Sequence, residues 1–125
     1  MRYEDAFALL GFNQPWVDLG ILTGERAEAL LNEYLTSEDK RTEHYRWRAF
    51  TSFMEENPTL EAGLMRQIYV LSKTEPDDML QDSMIHTLIR RDDLPLELLK
   101  NEVESPVKSI AKKAAKKLNE LGKVS

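Results

Sequence analysis

Asn57-Pro58, Glu75-Pro76 and Ser105-Pro106 each stand at the head of a stretch with helical periodicity. Proline fits the first turn of a helix, where its missing amide hydrogen would be unpaired anyway, and it pushes the residue before it into extended backbone. Each pair therefore predicts a helix start. Pro76 and Pro106 lie 30 positions apart, a length that suits one helical hairpin. Leu80, Met84, Ile85 and Leu88 follow Pro76 at the same offsets at which Ile110, Ala114, Ala115 and Leu118 follow Pro106. The two helices are expected to present equivalent apolar faces.

The last helix is the plainest. Val107, Ile110, Ala111, Ala114, Ala115, Leu118 and Leu121 recur at three-and-four spacing along one face, with Lys108, Lys112, Lys113, Lys116 and Lys117 on the other. Ser105 is the expected N-cap, Pro106 the first helical residue and Gly122 the stop. Between the paired helices, Leu94, Leu96, Leu98 and Leu99 predict a short helix opening at Asp93 or Leu94, and Leu60, Leu64, Ile68 and Leu71 predict another after Pro58. Towards the amino terminus, Phe7, Leu9 and Leu10 predict a short helix ended by Gly11. Gly20 and Gly24 bracket a turn before Ala27, Leu30, Leu31 and Leu35. Ser37 is read as the cap of a helix running to Glu56 with Trp47, Phe50, Phe53 and Met54. No segment alternates β-branched residues with a period of two, so an all-α fold is expected, as one helical domain over residues 1–125.

The chain of 125 residues has no cysteine, which excludes disulfides and thiolate metal sites. Its first residues, Met1-Arg2-Tyr3-Glu4-Asp5, carry acids where a secretory leader needs a basic region and an apolar run. No apolar stretch approaches the roughly 20 residues of a membrane span, and a soluble cytoplasmic protein is expected. The net charge of −5 is unevenly spread: residues 1–104 carry −10 and residues 105–125 carry +5. An acidic body with a basic last helix governs long-range encounter with partners.

Asp-Asp-Leu-Pro-Leu-Glu-Leu-Leu at 92–99, followed by Ser-Pro-Val-Lys-Ser-Ile-Ala-Lys-Lys-Ala-Ala-Lys-Lys-Leu at 105–118, resembles a HEAT-like helical repeat, covering roughly residues 58–121. The resemblance implies a short right-handed stack of antiparallel helical hairpins over residues 57–125, with residues 1–56 as a divergent helical cap on its open end.

Asp77, Asp78 and Asp82, with Arg90-Arg91 downstream, resemble the aspartate-rich motif with which prenyltransferases hold a diphosphate through magnesium. The chain is too short for that family's helical barrel, and acids at a helix start are already favoured by the helix dipole. Ser105-x-x-Lys108 and Ser109-x-x-Lys112 match the Ser-x-x-Lys of penicillin-recognising enzymes without its companion elements. His44 and His86 have no second histidine at ligand spacing, and the five glycines form no phosphate loop. No enzyme, metal or other cofactor is expected.

Two basic groups remain. His44-Tyr45-Arg46-Trp47-Arg48 interleaves aromatics with cations in a way that suits stacking on bases, unless Trp47 joins Phe50 and Met54 in the core with Arg46 and Arg48 pointing outward. The lysine face of the last helix is the stronger candidate for binding an anion or a partner, although lysines there also keep a terminal helix solvated. The expected function is a non-catalytic protein-interaction module, an adaptor or an immunity or antitoxin-like protein for a basic partner. Nucleic-acid binding through Lys108, Lys112, Lys113, Lys116 and Lys117 is the alternative, an architecture that helix-repeat DNA glycosylases also use.

Overall fold

The computed structural model describes residues 3–21 and 24–122. Met1 and Arg2, read above against a leader, lie outside them. Among the described residues there are eight α-helices and no strand: α1 Tyr3–Leu10, α2 Gln14–Asp18, α3 Gly24–Thr36, α4 Thr42–Glu56, α5 Ala62–Ser72, α6 Asp78–Arg90, α7 Leu96–Val103 and α8 Lys108–Gly122. None of them is long and apolar enough to cross a membrane. The chain divides into two compact units, Met1–Pro58 and Thr59–Ser125.

In the first unit α1 packs on α3 and α4, and α3 on α4. Phe7, Leu10, Trp16, Ala27, Leu30, Ala49 and Phe50 are buried, with the Trp16 ring edge-on to Phe50 at 6.2 Å. Helix α1 ends at Gly11 for a definite reason. The amide of Phe12 bonds to the Phe7 carbonyl (2.8 Å) and that of Gly11 to the Ala8 carbonyl (3.1 Å), while Gly11 takes a φ of +91°. This is the glycine-terminated helix end that satisfies otherwise orphaned carbonyls. A Cβ at Gly11 would also stand 2.5 Å from Nη1 of Arg46. Gly11→Ala is therefore expected to lower the unfolding free energy by about 2 kcal/mol, through the left-handed φ and displacement of Arg46. Urea titration checks this, and in an Arg46→Met background the cost should fall to about 1 kcal/mol because only the backbone penalty remains.

Two boundaries differ from expectation. Helix α4 starts at Thr42, not after Ser37: the Ser37 amide bonds back to the Glu33 carbonyl (2.8 Å) to close α3, and its hydroxyl accepts from Asp39 N. The short α2 was not foreseen; Asn13 Oδ1 accepts from Trp16 N at its head, and Pro15 sits in its first turn.

In the second unit α5 packs on α6, α6 on α8, and α7 on α8. Pairings along these helices fix their directions. Arg66 meets Glu97 and Tyr69 meets Glu102, so α5 and α7 run the same way. His86 meets Ser109 and Arg90 meets Lys117, so α6 and α8 do too. Helices α6 and α8 each begin two residues after their proline, not at it as expected. The Ser105 hydroxyl bonds the amide of Val107 in a turn before the helix, and Val107 O accepts the first helical amides. Helix α5 begins at Ala62, four residues past Pro58, because Leu60 N is tied to Asp93 Oδ2 (2.8 Å) in a non-helical segment. The same bond, with the Arg91–Asp93 pair, holds Asp93 outside α7, which opens at Leu96.

The expected equivalence of α6 and α8 holds for only half their length. Leu80, Met84, Ile85 and Leu88 are all buried. Of their counterparts, Ile110 and Ala114 are buried, whereas Ala115 is exposed and Leu118 only half-buried. Leu121, one turn further on, is 41% exposed. Helix α6 has α5 and α8 against it; α8 has α6 and α7. Among the described residues no layer covers the second half of the α8 stripe.

Candidate functional site

The lysines of α8 do not act as one set. Lys117 is mostly buried, and its Nζ donates to the carbonyls of Arg90 and Arg91 (3.2 Å each) and pairs with Asp92. It caps the carboxyl end of α6, where a cation complements the helix dipole. Lys108, Lys112, Lys113 and Lys116 are exposed, and among the described residues none of them forms an ion pair. Lys112 and Lys116 stand one helical turn apart on the rim of a shallow groove whose floor is Val103 of α7 with Ala115 and Leu118 of α8, and which Asn119 also lines. Leu96 and Lys100, also exposed, share with Val103 one face of α7 at seven-residue helical spacing.

This groove was not foreseen from the sequence, because Ala115 and Leu118 read there as core. The available signal was on α7: an eight-residue helix carrying Leu96, Leu98, Leu99 and Val103 has apolar side chains on more than one face.

Arg46 is corrected from an outward cation to a core residue. It is 6% exposed, and its Nη1 donates to the Leu10 carbonyl and the Thr42 hydroxyl, 3.0 Å each. Arg48 is held by both carboxylate oxygens of Glu33 on α3, which keeps the Glu33 carboxyl below its ordinary range. Trp47 is half-buried and stacks on Phe50 with ring centroids 6.0 Å apart. The base-stacking constellation is therefore not presented as a surface.

Two members of the acidic motif have structural partners. Asp77 caps α6 through Leu80 N (2.8 Å), and Arg91 is committed to Asp93, whose carboxyl it holds below the ordinary range. Among the described residues no group of three or more His, Asp or Glu side chains is arranged to hold a metal ion.

Ser109 Oγ lies 3.4 Å from Nε2 of His86, a nucleophile beside a base. Nδ1 of that imidazole is buried and has no hydrogen-bond partner, so nothing fixes its tautomer as a third group would. Burial first, then Lys113 and Arg90, lowers the His86 pKa. Because the unfolded chain then holds the proton more tightly, this stabilisation is full above the ordinary imidazole range near 6.5 and is lost as pH falls through the folded value. His86→Gln is expected to flatten the loss of stability between about pH 7 and pH 5. The difference between urea midpoints of variant and parent at the two pH values measures it.

No family model, curated protein or solved structure matches this chain.

Proposed function

We propose that the chain is a non-catalytic protein-interaction module, a short HEAT-like stack whose docking face is the uncovered half of α8 with the adjoining edge of α7. One observation carries the reading: Ile85 and Leu88 of α6 are buried, whereas Ala115 and Leu118 at the same offsets in α8 are not. The stack reading draws on the parallel course of α5 with α7 and of α6 with α8, which repeated hairpins produce. An apolar strip left open at the edge of such an array, rimmed by cations that have no ion pair among the described residues, has the composition of a docking surface.

Capture from the native host tests this. The intact chain should retain at least one protein that Ala115→Glu, matched in circular dichroism, does not. Retention of the same proteins by both would refute the reading.

Nucleic-acid binding is the second reading, favoured by the four exposed lysines without ion pairs. It requires retention of oligonucleotide on a filter at low salt, lost when Lys112 and Lys116 become glutamate.

A further inference from the structure

We infer that the occupant of the α7–α8 groove is an acidic amphipathic helix of a partner protein, an inference that rests on the docking reading above and adds the chemistry of the partner. Three features select it. The floor of Val103, Ala115 and Leu118 offers apolar contact to a row of leucine-type side chains, and a cleft between two packed helices accepts a third along its length. Lys112 and Lys116 flank that floor one turn apart, so carboxylates at positions i and i+4 of the incoming helix would meet both. Neither lysine is paired with a carboxylate among the described residues, so the new pairs form without breaking old ones.

The charge of this face thus points opposite to that of the whole chain. A basic helix in the groove would set its cations against Lys112 and Lys116. A nucleic-acid backbone would neutralise the lysines but leave the apolar floor uncovered. A second copy docked by the same face about a twofold axis would bring one lysine rim against the other.

The test uses the intact chain and a fluorescent, helix-stabilised peptide of about 16 residues, enough to match α8, with leucines at i, i+3, i+4 and i+7 spacing and glutamates flanking them. Anisotropy should show saturable binding to the parent chain, weakened at least about tenfold in the Lys112→Glu/Lys116→Glu double variant. The same peptide with lysine for every glutamate should bind the double variant more tightly than it binds the parent. No binding of the acidic peptide, preference of the parent for the basic peptide, displacement by single-stranded oligonucleotide, or self-association of the free chain in sedimentation would each overturn the inference. None of these outcomes decides the docking reading, which stands or falls on whether Ala115→Glu loses a captured protein.

Discussion

Arg46→Ala is expected to lower the unfolding free energy by about 3 kcal/mol. The guanidinium is buried where α1 ends, and the Leu10 carbonyl it binds is one of the terminal carbonyls that α1 cannot satisfy for itself. The glycine turn at Gly11 accounts for Phe7 and Ala8; Arg46 accounts for Leu10. Removing it leaves that oxygen and the Thr42 hydroxyl without this donor, and opens a void beside Gly11. Arg46→Met separates the two contributions by restoring most of the volume and none of the donors. Urea unfolding of the three proteins should rank them parent, Met, Ala. A loss below about 0.5 kcal/mol for both variants would show that the guanidinium is not a structural donor.

The second large effect is expected at Glu102, which is 1% exposed on α7. One carboxylate oxygen accepts the Tyr69 hydroxyl at 2.6 Å and pairs with Lys73, whose ammonium lies 5.5 Å from the centre of the Tyr69 ring. The other is buried and has no hydrogen-bond partner. Glu102→Ala should cost about 2 to 4 kcal/mol, the lower part of that range being favoured because Lys73 is partly exposed and can turn to water. Tyr69→Phe together with Glu102→Leu removes both buried polar partners at once and should recover much of that loss. Burial of the phenol, then its bond to Glu102, holds the Tyr69 pKa above its ordinary value near 10. The native state thus keeps a proton that the unfolded chain releases, and this stabilisation is complete below pH 10 and lost as pH rises beyond it. Tyr69→Phe should remove that alkaline slope in a stability profile between about pH 9 and pH 11.

What could be read from the sequence was whatever depends on near neighbours along the chain. Spacing alone located α8, the stripe of α6 and the stop at Gly11, because each follows from the helical period or from the conformational freedom of one residue. Residues tied to distant partners were misread. Arg46 sits in a run of cations and aromatics that looks like an exposed face, and only a carbonyl 36 positions earlier draws it inside. Leu60 and Asp93 are 33 positions apart, yet their bond sets where α5 begins and keeps Asp93 out of α7. The groove was hidden for a related reason. An amphipathic pattern states which face of α8 prefers burial, and only the packing of α6 and α7 reveals how much of that preference the unit itself satisfies.

That unsatisfied preference is the centre of the account, and an amide NMR titration of the intact chain with the acidic helical peptide addresses it most directly. Shift changes concentrated at Val103, Lys112, Ala115, Lys116 and Leu118 are expected. Changes gathered on α3 and α4, with these five unmoved, would contradict it.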